Sequence, residues 1–453
     1  MKTCTIFKSV LFLGVSIVFL PPAMAQEVMK VTMEECIDIA LKNNIDLQRA
    51  RNTSLIASSN KRQALLNFLP SLQARINYDV FTGTFFDNNT ATQVTEVTNS
   101  SRPNISSNLT VFNGFKNHYN KRQRENEFSA STHAVEGAKQ NVRTNVIGLY
   151  LNVAADRENV KISENRLDLL SQQLEREEKR EKAGVGKIEE VYNLKSQVAN
   201  EKLNLITMRN TFERDKLLLI QALQLDNIRD IEIADLQISD DELEQTIDPY
   251  PDVIGKAVQF SPNLKSASYS LVASKNAVKV ATADRYPTIS LYGEIGSRYS
   301  SNGATNPATG DLDPNASFFD QLDFNQFEYA IISLNIPIFT RGVTSNRVQV
   351  AKINMLNAEL DKKQAEMDLA NAVQQAYLDL VAAQSTYEAA KENLIALEQS
   401  FKFMQARYTS GNSDFYTYLE SLNNKNRAEL ELINAKYSIA LRRKIINILQ
   451  GLE

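Results

Sequence analysis

From Leu72 to Val80 the chain alternates strictly: Leu72, Ala74, Ile76, Tyr78 and Val80 take one side, Gln73, Arg75, Asn77 and Asp79 the other. A period of two sends successive side chains to opposite faces, so this stretch predicts a strand with one apolar and one polar face. Ile105, Leu109 and Val111 continue the alternation, with Asn108 and Thr110 between them. The pattern recurs after Pro287, in Ile289, Leu291 and Ile295, and again in Ile332, Leu334, Ile336 and Ile338. Each run approaches the roughly 9 to 11 residues that a tilted strand needs to cross a bilayer. The stretches Thr82 to Pro103 and Arg298 to Gln326 are long, polar and rich in Asn, Thr, Ser, Asp and Gly. Both are expected to be loops.

Elsewhere the period changes. Leu380, Ala383, Tyr387, Ala390, Leu394, Leu397, Phe401, Met404 and Tyr408 step by three and four in turn. That is the 3.5-residue repeat of left-handed coiled-coil packing. Val153, Val160, Leu167, Leu170 and Leu174 carry much of the same seam earlier in the chain. From Val343 to Tyr408 there is no Pro or Gly. At 1.5 Å per residue this predicts a helix of about 95 Å, far longer than a globular domain needs.

The two halves repeat one plan. Leu47 and Leu264, Ala64 and Ala281, and Pro70 and Pro287 share an offset of 217 residues. Ala40 to Asn44 matches Ala257 to Ser261 at the same offset. Beyond the proline the offset is 227, relating Phe112 to Phe339, Tyr150 to Tyr377, Gly184 to Gly411 and Leu203 to Leu430. Each copy reads helix, Pro, strand, polar stretch, strand, very long helix, Gly turn, helix. The first repeat spans 26–225 and the second 251–453, with an acidic linker at 226–250.

Composition agrees: only 15 Gly and 11 Pro in 453 residues leave few helix breakers, and there is no Trp. A formal charge of −4 gives no basic footprint and makes nucleic acid an unexpected partner. At the start, Lys2 and Lys8 precede the apolar run Val10 to Leu20 and the small-residue site Ala23-Met24-Ala25. This is the pattern of a cleaved export signal over 1–25, leaving Gln26 first. A membrane anchor is the alternative, but the run is shorter than the roughly 20 residues a spanning helix needs. Cleavage removes Cys4, and Cys36 is then expected to be a buried thiol with no disulfide partner.

Four amphipathic strands cannot close a barrel, and an open edge cannot stand in lipid. If they cross a membrane, several chains must share one barrel, and three would supply twelve strands. A soluble two-layer sheet is the alternative for such strands, disfavoured by the export signal and the long helices.

At this point the chain resembles the TolC-like outer membrane factors over nearly its whole mature length. The resemblance rests on Leu109-x-x-Phe112-x-Gly114 and Ile336-Pro337-Ile338-Phe339-x-x-Gly342, where strand returns to helix. It rests equally on Tyr408-x-x-Gly411 followed by Leu419 and Glu420, with Gly184 as partner in the first copy. The family implies a mainly α protein with membrane β. Three chains then form a twelve-stranded barrel in outer-membrane lipid, continued by a twelve-helix barrel. The partners implied are two further copies, a periplasmic adaptor (membrane fusion) protein and an inner-membrane pump. The family narrows its periplasmic end with acidic residues after the Gly turn. Glu420, nine positions beyond Gly411, and Glu190, six beyond Gly184, become gate candidates with Asp414 and Tyr408. Thr417 and Ser413 depart from that pattern, standing where the family has an acid and a helix-tying arginine.

No catalytic constellation, phosphate-binding loop or Cys/His metal cluster stands out, so no enzyme activity, cofactor or metal is expected. His118 and His133 lie in a polar helical stretch and read as solvated or packed. Asp311 to Asn315 mimics the start of a calcium loop, but Ala316 and Leu322 stand where that loop needs glycine and glutamate. The charged run Glu175 to Lys182 reads as a solvated helix face or a docking surface for the adaptor. The expected function is the exit duct of a tripartite efflux pump, passively conducting small toxic compounds. The alternatives are an exit duct for type I protein secretion and a trimeric coiled-coil adhesin. A periplasmic adaptor is a further rival, though adaptors carry one helical hairpin where this chain has two.

Overall fold

The computed structural model describes residues 29–452 except 88–90, 226–229, 237, 240–242 and 307. The export signal expected at 1–25 lies outside the described residues.

The duplication is visible in helix lengths. Helices α1 (Met33–Asn43, 11 residues) and α2 (Ile45–Leu66, 22 residues) return as α5 (Tyr250–Phe260, 11 residues) and α6 (Pro262–Ala283, 22 residues). Between them lie α3 (Lys116–Lys182, 67 residues) and α4 (Ile188–Leu223, 36 residues). In the second copy α7 (Phe318–Phe324) precedes α8 (Val343–Thr409, 67 residues) and α9 (Phe415–Gln450, 36 residues). At 1.5 Å per residue α3 and α8 each run about 100 Å. Asn44 caps α2 by accepting from the Leu47 amide, and Ser261 caps α6 by accepting from the Leu264 amide. These equivalent side chains satisfy equivalent orphan donors, which is why both copies break the helix at one place.

Four strands form one antiparallel sheet. In chain order they are β2 (Ser71–Arg75), β5 (Asn104–Asn113), β7 (Thr288–Gly296) and β11 (Phe327–Asn335), and in space β11-β7-β5-β2. Cross-strand partners share a face. Ala74 lies opposite Ile105, Ile105 opposite Ile295, Leu109 opposite Leu291, Leu291 opposite Ile332 and Ile289 opposite Leu334. The other face pairs Gln73 with Ser106, Asn108 with Tyr292, and Ser290 with Thr110 and Ser333. The sheet is therefore apolar on one side and polar on the other across all four strands.

Two boundaries differ from the sequence reading. The fourth strand ends at Asn335, because Pro337 has no N–H for the ladder; Ile338 beyond it is 94% exposed. The first strand stops at Arg75, and Tyr78 and Val80 belong to a second sheet. The stretch Thr82 to Pro103 is not a loop. It is mostly a hairpin of β3 (Tyr78–Asp87) and β4 (Thr92–Ser101), joined at one edge by β8 (Tyr299–Ser300). Thr carries high strand propensity without hydrophobic alternation, and Thr84 and Thr95 pair hydroxyls across the strands at 2.8 Å. The stretch Arg298 to Gln326 likewise holds β8, β9 (Ala304–Thr305), β10 (Leu312–Asp313) and α7. The calcium-like Asp313 accepts from the Asn315 amide at 3.0 Å, closing a turn.

The acidic segment after α4 packs as part of the helical body. Strand β6 (Ile231–Ile233) pairs in parallel with β1 (Met29–Val31). Ile231, Ile233, Ile238 and Leu243 are buried in one core with Cys36, Tyr150, Leu219 and Ile439. The short apolar alternation of Ile231 and Ile233 is hidden among acids, which is why the sequence reads as linker. Arg443 on α9 donates to the Gln245 carbonyl at 2.8 Å and fastens the segment down.

Cys36 is fully buried in that core, and burial, reinforced by Glu35 and Glu34, pushes its thiol up to about 12. A thiol needs its thiolate to react. Cys36 is expected to resist maleimide in the folded protein and to label at least 100-fold faster in denaturant, read by mass spectrometry; fast labelling when folded would contradict this packing.

Candidate functional site

Both long hairpins turn at one end of the helical body. Gly184 and Gly411 adopt left-handed backbone (φ +77° and +75°), and each follows the last turn of a 67-residue helix. Glycine takes that conformation without strain and lets the next amide reach back, Val185 to the Arg180 carbonyl and Asn412 to the Arg407 carbonyl. Behind the turns, Leu170, Leu194, Phe415, Tyr418, Leu419 and Leu422 are buried together, drawing on both copies.

Polar contacts also tie the copies together. Tyr408 on α8 donates to Glu177 on α3 at 3.2 Å and stacks on Tyr418, with ring centroids 4.8 Å apart. Gln173 on α3 donates to the Tyr418 hydroxyl. Arg180 grips both Glu177 oxygens at 3.0 and 3.1 Å. Further out, Asn193 on α4 donates to the Tyr416 hydroxyl at 2.7 Å, and Tyr416 donates to Glu189 at 3.1 Å. Burial, then the nearby Glu177 and Glu190, push the Tyr408 hydroxyl up to about 12, so it is a neutral donor at physiological pH.

The residues singled out from sequence therefore have different surroundings. Tyr408 lies at the contact between copies. Asp414 is the N-cap of α9: it accepts from the Thr417 amide at 3.0 Å and from its hydroxyl at 2.6 Å, and those bonds hold its carboxyl below the usual range. Thr417, standing where the family has an acid, thus completes a cap. Glu190 is mostly buried beside Lys187, at 4.0 Å, and Glu420 is exposed. Ser413 contacts Met404 at 3.2 Å.

Glu177 escaped the sequence reading. It falls in the charged run Glu175 to Lys182, which reads as a solvated face or docking surface, yet its side chain is 10% exposed. A signal was present: the seam Leu167, Leu170, Leu174 continues by three onto Glu177, placing an acid at a core position. At the far end of the molecule, on the polar face of the sheet, Glu294 accepts from Asn104 at 2.5 Å, Tyr292 at 2.8 Å and Arg102 at 3.3 Å.

A sheet with one continuous apolar face, joined to paired helices about 100 Å long that end in hairpin turns, defines a class. It is the duplicated fold of the TolC-like outer membrane efflux proteins. The chain belongs to the outer membrane efflux protein family: that family's model matches residues 36–223 and 253–445, one block per copy. Outer membrane protein TolC of Escherichia coli (strain K12) is 22% identical over 302 residues, covering 66% of this chain and 59% of that relative. The chain thus spans about three fifths of the length of the curated relatives it matches. Two solved outer-membrane proteins share its fold. The Campylobacter jejuni CmeC outer membrane channel has a TM-score of 0.75 at 18% identity, covering 92% of this chain and 85% of that one. The outer membrane protein VceC of Vibrio cholerae has 0.74 at 16% identity, covering 92% and 96%. The family is one of outer membrane efflux proteins, which places this chain in the outer membrane.

Proposed function

We propose that three copies of this chain close into one exit duct, a twelve-stranded barrel in the outer membrane continued by twelve helices into the periplasm. The observation that carries this is the four-stranded amphipathic sheet with β2 and β11 at its open edges. In hydrocarbon each unpaired backbone group costs several kcal/mol, and pairing β11 of one chain with β2 of the next removes every edge. The duct passively conducts small toxic compounds delivered by an inner-membrane pump through a periplasmic adaptor. A type I protein-secretion duct would share this architecture and differ in cargo: loss of the chain should sensitise cells to small toxic compounds, and loss of a secreted protein instead would reverse that choice. Native mass measurement of detergent-extracted protein should give a trimer, and a stable monomer would overturn the assembly.

In such a trimer Glu420 and Glu190 each become a ring of three carboxylates near the hairpin turns. Rings of like charge concentrate cations and set cation preference. Glu420→Gln is expected to lower cation selectivity and weaken block by multivalent cations in planar bilayers. Glu429→Gln, further along α9 and paired with Lys425 at 2.8 Å, should change neither. Wild-type selectivity in the Glu420 variant would remove that residue from the gate and leave the duct standing.

A further inference from the structure

We propose that each chain binds an anionic phospholipid of the periplasmic leaflet in a pocket beneath the two central strands of the sheet. This rests on the reading that the apolar face of the sheet meets lipid.

The chain leaves β5 through Gly114 and Phe115 into α3, and it enters β7 from α6 through Tyr286. Between these crossings lies a cavity of about 510 Å³ lined by Phe112, Phe115, Tyr119, Lys279 and Tyr286 among others. Its upper wall continues the lipid-facing side: Phe112 lies opposite Ile289, and Ile289 opposite Leu334. β5 and β7 are the inner strands in the order β11-β7-β5-β2. The pocket therefore lies away from both edges where neighbouring chains would pair, and a trimer leaves it facing the membrane.

Its shape is built in. Gly114 and Phe115 both take left-handed backbone (φ +63° and +62°), which folds the Phe115 ring edge-on against Phe112 at 5.5 Å. A bulky residue rarely adopts that conformation. A Cβ on Gly114 would come within 2.6 Å of the Tyr286 Cβ and 2.8 Å of the Ala283 carbonyl, so the floor is closed. Phe115 and Tyr286 remain 63% and 54% exposed, as aromatic rings at a membrane boundary commonly are. In the second copy Gly342 stands at the place of Phe115, so that aromatic wall occurs once per chain.

Its charge selects the ligand. Lys279 is the one cation of the lining, which holds no carboxylate, and its ammonium lies 5.3 Å from the Tyr119 ring centroid. The neighbouring acid, Asp284, is held by Lys116 at 2.6 Å and Arg347 at 3.4 Å. An apolar pocket open to the acyl layer above, with an ammonium on its water side, matches a glycerophospholipid of net negative charge. The acyl chain lies against Phe112 and Phe115, and the phosphate against Lys279. A zwitterionic lipid carries its own cation beside the phosphate and gains less from that lysine.

Native mass spectrometry of the detergent-extracted protein, titrated with phosphatidylglycerol or phosphatidylethanolamine, tests this. Wild type should retain phosphatidylglycerol preferentially. Lys279→Gln should lower that retention about fivefold, the effect of one interfacial charge, and leave phosphatidylethanolamine unchanged. Phe115→Ala should lower retention of both. Lys265→Gln, at the other end of α6, should change neither. Equal retention of the two lipids by wild type, or unchanged preference in Lys279→Gln, would overturn the site. The same spectra report oligomer mass and parallel fractionation reports membrane location, so failure of the duct reading would be seen separately. Should Lys279→Gln not fold, Tyr119→Leu, which removes the ring beneath the ammonium, is expected to lower phosphatidylglycerol retention in the same direction; unchanged retention there would equally overturn the site.

Discussion

Leu291→Arg is expected to abolish the assembled protein in the outer membrane, whereas Ser290→Arg, one residue away, should leave it in place. Leu291 sits mid-strand on the apolar face between Leu109 and Ile332, and Ser290 sits on the polar face between Thr110 and Ser333. A lipid-facing arginine at the bilayer midplane costs about 2–4 kcal/mol. In the proposed trimer, three copies in one barrel would bring the total to roughly 6–12 kcal/mol, comparable with the whole stability of a domain. On the polar side the same guanidinium stays in water. Heat-modifiable migration of the oligomer band in membrane fractions reads the difference. Equal loss in both variants, or in neither, would show that the apolar face does not meet lipid.

Glu177→Ala is expected to raise the open probability of the channel in planar bilayers, and Tyr408→Phe to do so more weakly. The first removes the acceptor shared by Arg180 and Tyr408, the second one hydroxyl. A hydrogen bond to a charged group is worth about 1.5–3 kcal/mol. Arg180 is half exposed, so screening reduces its share, and about 1 kcal/mol per chain is the figure to use. If three hairpin pairs open together, that is roughly 3 kcal/mol, or about a hundredfold shift. The pH dependence follows from Tyr408. Its raised value stabilises the neutral, donating form. The bond's contribution is therefore complete below the ordinary tyrosine value near 10 and is lost as pH rises through about 12. Titration of Tyr408 should therefore leave opening unchanged across the physiological pH range. Wild-type gating in Glu177→Ala would reduce the contact to packing.

Much was legible in the sequence because it is written in periods. Alternation at Leu72 and Ala74, Ile105 and Leu109, Ile289 to Ile295, and Ile332 and Leu334 determined all four strands and which side of each is apolar. The three-four seam from Leu380 to Tyr408 determined the long helix, and the offsets of 217 and 227 determined that everything happens twice. Glycine at 184 and 411 determined the turns, since left-handed backbone is a local property. What lay beyond the sequence is what depends on partners distant in the chain. The Thr-rich hairpin of β3 and β4 carries no hydrophobic period, and only pairing reveals it. Ile231 and Ile233 read as linker until β1 lies alongside and a core closes over them. Asp414 and Glu177 are both acids near the turns, yet one caps a helix in water and the other joins two copies away from it. Periodicity is a property of one segment and survives reading in isolation; burial, and with it the role of a charged side chain, is decided by the segment packed against it.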